Sequence, residues 1–380
     1  MATVGHAACA IAGAVVEQLW SNANYSQGVI EDDDPGGDWT APGVYRSAPG
    51  VYRIPLPLPN DGLRAVNVYA VADGAGWTLI DSGWALSDAR HPAARAPRPA
   101  AAGLGDVRRF LITHVHRDHY TQGVALRREF GSRVALGRGE QPSLEVIRSA
   151  VEREGRAQFQ RLRRAGAHDL VKRLEVALPP PGDPSLWELP DEWIEDGDEI
   201  VLDRPEQESE ADAGRRLSAV ATPGHTKGHV VFADGTAGLL FSGDHVLPRI
   251  TPSIGFEPAP PPNPLADFMA SLELIRSRPD AALLPAHGPV GMRVHERVDE
   301  LLAHHGKRLD ATSAALREGR DTAAAIAAGL TWTRREHRLH ELDPFNAMLA
   351  TLETAAHLEV LVERGAVVAR EQDGVRYYSE

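Results

Sequence analysis

The stretch Leu111-Ile112-Thr113-His114-Val115-His116-Arg117-Asp118-His119 constrains this chain more than any other. It packs three histidines and an aspartate into six positions directly behind the apolar run Arg109-Phe110-Leu111-Ile112. An apolar run that ends in a polar cluster reads as a buried strand entering a loop. Imidazole and carboxylate are the ligands that divalent zinc prefers. In a loop, His114 and His116 can turn toward one ion while Asp118 and His119 turn toward a second. A helix would scatter the four side chains round its circumference. A His-rich surface loop would account for one pair of histidines, but matching partners recur downstream.

Thr222-Pro223-Gly224-His225-Thr226-Lys227-Gly228-His229 sets a histidine behind a Pro-Gly turn. Phe241-Ser242-Gly243-Asp244-His245 sets a carboxylate behind the apolar run 238–241, and Leu283-Leu284-Pro285-Ala286-His287-Gly288 sets a histidine behind another. Upstream, Trp77-Thr78-Leu79-Ile80-Asp81-Ser82-Gly83 ends in an aspartate. Strand-like runs that each stop at an acid or a histidine build a site along one edge of a sheet.

The ordered set HxHxDH, TPGHTxGH, SGD and AHG resembles the metallo-β-lactamase superfamily over residues 44–291. The resemblance implies an α+β fold, a four-layered αββα sandwich with a dinuclear metal site at its edge. It implies that His114, His116 and His225 hold one ion, that Asp118, His119 and His287 hold the second, and that Asp244 bridges both. Asp81 would orient a ligand histidine, and His229 would be structural. The metal expected is zinc, with manganese or iron open to the same ligands.

Composition narrows the class. A chain of 380 residues can bury a full core and hold more than one domain. Its net charge of −13 does not suit the whole surface to nucleic acid. The lone cysteine, Cys9, rules out an intrachain disulfide and fits a reducing cytoplasm. No run approaches the ~18 apolar residues of a membrane span, and the apolar residues 7–16 lack the positive leader of a secretory signal.

Along the chain, residues 1–40 read as an appendage, with a helix at 10–20 and an acidic, turn-rich linker at 31–37. The segment Ala41-Pro42-Gly43-Val44-Tyr45-Arg46 repeats as Ala48-Pro49-Gly50-Val51-Tyr52-Arg53, either an extra edge strand or a duplication without a role. Residues 41–292 form the expected catalytic domain. Residues 66–71 and 77–80 read as a hairpin, with Asn67 either a feature that the family resemblance implies ahead of the strands leading to Asp81 or simply a polar strand edge, and residues 91–103 as a loop or poorly formed helix. A helix is expected at 122–130. An insert at 142–198 carries Arg-rich helices, read as a solvated face or as a lid that meets an anionic part of the substrate. The loop 246–264 offers Pro248, Arg249, Ile250 and Phe256 as substrate wall, ahead of a helix at 265–277.

Residues 293–380 read as helices at 294–317, 322–328 and 346–364 followed by a hairpin, a winged-helix pattern. This resembles the C-terminal domain of lactamase-β-like endoribonucleases and polyketide-processing thioesterases. With 12 basic against 15 acidic side chains, a net charge of −3, this part does not suit phosphate binding and reads as a structural cap or homodimer surface. His304, His305, His337, His340 and His357 have no partners at motif spacing and read as packing or surface histidines.

The chemistry expected is metal-assisted hydrolysis, in which a hydroxide shared by two ions attacks a carbonyl. Asp118 and Asp244 would hold and space it, with Tyr120, Lys227, His245 and Arg249 as substrate contacts. A thioester, ester or lactone on a small molecule or an acyl carrier is the favoured substrate. The alternatives are a ribonuclease or phosphodiesterase of the same fold and a mononuclear iron persulfide dioxygenase. Some β-lactam-destroying members carry a cysteine where this chain has Asp244. The aspartate is similar to glyoxalase II, lactonase and RNA-processing members.

Overall fold

The computed structural model of the chain describes residues 30–58, 62–85, 104–149, 156–177, 183–203, 214–333 and 335–380. The expected helix at 10–20, the loop at 91–103 and Cys9 lie outside them.

Two sheets form the centre. The first runs in chain order through β1 (Glu31–Asp32), β2 (Tyr45–Ala48), β3 (Val51–Pro57), β4 (Ala65–Asp73), β5 (Gly76–Ile80), β6 (Val107–Ile112), β7 (Arg133–Gly137) and β8 (Glu192–Ile194). The second comprises β9 (Glu199–Val201), β10 (Arg216–Ala221), β11 (Val230–Asp234), β12 (Leu239–Gly243) and β13 (Ala282–Pro285), and its spatial order is the reverse of the chain order. Central strands read as unbroken apolar runs because both their faces are covered. Tyr69, Ile80 and Leu111 point into a core shared with Ala219, Phe232 and Phe241 of the second sheet. Their alternates Val68, Leu79, Phe110 and Ile112 point the other way, toward Val124 and Leu126 of helix α1 (Arg117–Phe130) and Leu144 of α2 (Gln141–Ser149). On the far side of the second sheet, Val220, Val231 and Leu240 pack under α5 (Pro264–Ser277). The order helix, sheet, sheet, helix gives an α+β sandwich.

Between α2 and β8 lie α3 (Arg156–Arg164) and α4 (His168–Ala177). Their apolar faces meet not solvent but Ala347, Met348 and Leu352 of α8 (Pro344–Glu363). The C-terminal part holds α6 (Val294–Arg317), α7 (Ala323–Gly329), the short pair β14 (Thr331–Trp332) and β15 (His337–Arg338), α8, and the hairpin β16 (Val368–Gln372) with β17 (Val375–Ser379). Leu301, Leu309, Ile326, Leu358 and Tyr378 share one core with Phe268 and Leu272 of α5, so these elements are continuous with the sandwich's outer layer.

Two expectations need correction, and the choice left open for the duplicated segment falls to its strand alternative. The acidic stretch 31–37 is no free linker. Its β1 pairs in parallel with β2, and the buried Asp33 carboxylate accepts from Arg53 Nη2 at 2.7 Å and Nε at 2.8 Å. The duplicated segment is two strands paired with each other, Tyr45 opposite Arg53 and Arg46 opposite Tyr52, so each copy supplies a strand of the sheet. Helix α1 begins at Arg117, five residues earlier than expected, so Asp118 and His119 belong to its first turn and not to the loop.

Candidate metal centre

The parallel pairs β5–β6–β7 and β12–β13 fix where the site forms, because ligands collect beyond the carboxyl ends of parallel strands. Asp81 follows β5, His114 and His116 follow β6, His225 follows β10, Asp244 follows β12 and His287 follows β13. The site therefore uses the ends of both sheets, together with the first turn of α1.

The seven side chains converge into two groups. His114, His116, His225 and Asp244 present donors that all lie within 4.8 Å of one another, as do those of Asp118, His119 and His287. His116 Nδ1 lies 3.0 Å from His114 Nε2 and 3.1 Å from His225 Nε2. Nitrogens sharing one tetrahedral zinc sit about 3.3 Å apart. Asp244 faces both groups. Its Oδ2 is 3.4 Å from His225 Nε2, while its Oδ1 is 3.4 Å from His287 Nε2 and 3.7 Å from His119 Nε2. Asp118 Oδ2 completes the second group at 3.4 Å from His287 Nε2 and 3.6 Å from His119 Nε2.

The outward nitrogens decide which lone pairs point in. His225 Nδ1–H donates to the Ser253 carbonyl at 2.8 Å and His287 Nδ1–H to the Ala65 carbonyl at 2.7 Å. His119 Nδ1–H donates to Asp81 Oδ2 at 2.9 Å. Thr113 gives its backbone N–H and hydroxyl to Asp81 Oδ1, which leaves its oxygen to accept from His114 Nδ1 at 3.1 Å. Each of these rings keeps an Nε2 lone pair for the centre, the arrangement typical of metal-ligating histidine. Three buried donor atoms of the two groups, His119 Nε2, His287 Nε2 and Asp244 Oδ1, have no hydrogen-bond partner among the described residues, while His116 turns Nδ1 inward. Buried polar atoms are normally satisfied. The donor set and its orphaned atoms fit a pair of divalent cations.

Electrostatics separates the groups. Burial holds His116 down at about 3 and His225 at about 4, so the first group offers neutral imidazoles. Burial opposes charge on His119 too, but Asp81, Asp118 and Asp244 outweigh it and raise the ring to about 10. Burial also opposes ionisation of Asp118, yet His119, His287 and His116 hold its carboxyl well below the usual range.

The supporting residues come from far along the chain. Asn67 is not a polar strand edge: it is wholly buried and donates from Nδ2 to the carbonyls of Pro285 and Gly288, each at 3.0 Å. Arg53 Nη1 donates to Asn67 Oδ1 at 3.0 Å, so Asp33, Arg53 and Asn67 clamp the turn that carries His287. His229 donates to Thr222 and accepts the Asp244 backbone N–H at 3.2 Å, which fixes the backbone behind the shared carboxylate. Glu140 accepts from the Thr226 hydroxyl and the Val115 N–H, and so ties the first histidine loop to the His225 loop. Glu257 accepts from the Lys227 N–H at 2.8 Å and from Ser143 at 2.5 Å. Gly228 is obligatory here, since a Cβ would sit 2.0 Å from the Glu140 nitrogen. No sequence pattern marks Glu140 or Glu257.

Two expected substrate contacts fall elsewhere. Tyr120 is buried under Trp187, with its hydroxyl donating to the Glu188 carbonyl at 2.5 Å. His245 is wholly buried, its ring edge-on to Phe268 at 5.2 Å, and it makes no hydrogen bond or ring contact with the seven. Lys227 and Arg249 are exposed. Phe256 stands beside His116 with ring centroids 5.9 Å apart, and Phe345 of α8 lies 5.5 Å beyond it.

The chain is similar to several known proteins. A metallo-beta-lactamase family protein from Thermus thermophilus has a solved structure with a TM-score of 0.65 and 28% identity, covering 88% of this chain and 100% of that one. A beta-lactamase domain protein from Burkholderia ambifaria gives 0.69 and 25%, covering 92% and 98%. Among curated proteins, the Beta-lactamase-like protein 2 homolog of Caenorhabditis elegans is 35% identical over 116 residues, 30% of this chain and 33% of that protein. The Lactamase-like protein nscB of Neosartorya fischeri is 34% identical over 96 residues, 25% and 27%. The chain thus matches a third or less of the length of these curated relatives. Residues 61–287, which run from the strands before Asp81 to the last histidine of the centre, match the family described as the Metallo-beta-lactamase superfamily, and to that superfamily the chain belongs.

Proposed function

We propose that the chain is a hydrolase that uses two zinc ions to direct water at the carbonyl of a thioester, ester or lactone. The observation that carries this reading is the aim of Asp244, one carboxylate oxygen toward each donor group. Bound there, two divalent ions lower the pKa of a water and polarise a carbonyl oxygen. The protein's own part is positional. Asp118 stays ionised and accepts a hydrogen bond from the attacking water, and Asp244 sets the spacing of the two groups. Asp81, Ser253 and Ala65 keep three rings turned so that their free nitrogens face inward. Phe256 and Phe345 give the side next to His116 an apolar wall suited to an acyl chain, and Arg249 stands on the loop after Asp244 as a rim residue. The acidic balance of the chain weighs against a nucleic-acid substrate.

Residues 293–380 would be a winged-helix-like unit. This reading draws on the order α6, α7, α8 and hairpin, and on the bridge between Thr322 and Tyr377 that supplies a third strand position beside β17. Its helix α8 carries Phe345, so the unit would shape the substrate mouth as well as cap the sandwich. The single cysteine is compatible with a cytoplasmic enzyme.

The test joins metal quantification to a panel of acyl thioesters, lactones, β-lactams and RNA. Zinc in both donor groups and turnover of an acyl substrate are expected. His116→Ala should lower turnover roughly a thousandfold or more, through loss of one Lewis-acid site, with an unchanged circular dichroism spectrum. A single iron at this centre, cleavage confined to RNA, or full activity in His116→Ala would sink the reading.

A further inference from the structure

A third constellation of metal-ligating side chains lies in the C-terminal helices, which contribute none of the seven residues above. His305 on α6 and His357 on α8 are buried, 0% and 1% exposed. His305 Nδ1 and His357 Nε2 lie 3.2 Å apart, and with a Glu353 carboxylate oxygen these donors all fall within 4.8 Å of one another. Glu353 and His357 stand one turn apart on α8, the spacing that puts two side chains on one helix face. We propose that His305, Glu353 and His357 form a separate binding site for a divalent cation of the zinc class, a cross-link between α6 and α8.

Hydrogen-bond accounting supports it. His357 Nδ1–H donates to the Glu353 backbone carbonyl at 2.8 Å, so its Nε2 is a bare lone pair aimed at His305. His305 then has two tautomers. If Nδ1 carries the proton it donates to His357, and its Nε2 lone pair is buried without a donor. If Nε2 carries the proton, two lone pairs face each other across 3.2 Å. Either way His305 Nε2 has no partner among the described residues. A cation resolves the second case: it takes both inward lone pairs at a separation close to the ~3.3 Å of zinc-bound nitrogens. Burial keeps both rings neutral, the form that ligates.

Glu353 supplies the charge. Its carboxylate makes no hydrogen bond or ion pair among the described residues. Burial raises its pKa and Arg308 opposes that by attraction, while that guanidinium is stacked on Trp332 at 4.2 Å and donates to the Thr331 carbonyl at 3.1 Å. Two neutral imidazoles and one unpaired carboxylate make the three-ligand set of an open zinc site. The anchored Nδ1 of His357 is the kind of outer contact that orients such a ligand.

The test compares metal content between variants of the full chain, so it does not depend on how many ions the main centre holds. Each protein is stripped with a chelator, equilibrated with zinc and desalted, and zinc per chain is measured. His357→Gln and Glu353→Gln should each bind one equivalent less than the parent. In a chain whose main centre is disabled by His116→Ala and His119→Ala, one equivalent should persist and should vanish when His357→Gln is added. Zinc should also raise the melting temperature of that disabled chain. Should His357→Gln fail to fold, Glu353→Gln alone decides, since it changes one atom of a half-buried side chain. Equal zinc content in the parent and Glu353→Gln, or no zinc retained by the disabled chain, overturns the proposal.

Discussion

The ring of His119 stands between carboxylates with different tasks. Asp81 grips Nδ1 at 2.9 Å, while Asp118 and Asp244 lie near Nε2. In the metal-free protein these charges raise the ring to about 10, so it carries a second proton at neutral pH. Metal uptake must expel that proton, and uptake at this group weakens as pH falls. Asp81 also holds Thr113 and sits at φ 61°, a backbone conformation that aspartate tolerates better than most residues. Asp81→Asn keeps the shape and removes the charge. We expect zinc affinity at the second group to fall about 10–100-fold, read by competition with a chromogenic chelator. We also expect fewer protons released on binding, read by calorimetry in buffers of different ionisation enthalpy. Unaltered affinity would reduce Asp81 to a backbone tie.

Among elements, the hairpin β3–β4 does more than extend a sheet. It carries Arg53 and Asn67 side by side, and through them the buried Asp33 steadies the turn after β13. Arg53 and Asp33 have side chains only 3% and 4% exposed. Removing one partner of such a pair strands the other charge. Arg53→Ala is expected to cost about 3–5 kcal/mol in urea unfolding and to loosen the His287 turn. A loss below about 1 kcal/mol would mean that Asp33 reaches water in the variant. Helix α1 contributes through its start. Its first turn presents Asp118 at the positive end of the helix, which favours the ionised carboxylate.

Across the molecule, the two sheets meet the site through separate loops, and buried acids join them. Glu140 touches the 115 and 226 positions, and Glu257 touches the 227 position. Burial, reinforced by repulsion from Glu257, pushes the Glu140 carboxyl well above its ordinary range. Glu257 is raised as well, chiefly by burial. A carboxyl raised in the folded state contributes stability that is present below the unfolded pKa and lost as pH rises through the folded value. This pair should therefore contribute a decline in the stability of the metal-free protein between about pH 5 and pH 8, set against the buried neutral histidines, whose contribution rises with pH up to about 6.5. Glu140→Gln should flatten that decline, measured by urea melts at both ends of the range; equal slopes in the two proteins would refute the account. The order of residues along the chain was enough to show which ligand types gather and in what succession. An apolar run followed by an acid or a histidine is a local signal, and a buried strand must end where the run ends. The long helices were legible for the same reason, since their periodicity is equally local. Packing settled the rest: which nitrogen each ring turns inward, the clamp from Asn67 to a carbonyl 218 positions away, the bond from Ser143 to Glu257 across 114, and the meeting of His305 with His357 across 52. Those residues are ordinary in their own neighbourhoods. Only the stacking of one layer on another brings each to the partner that makes it matter.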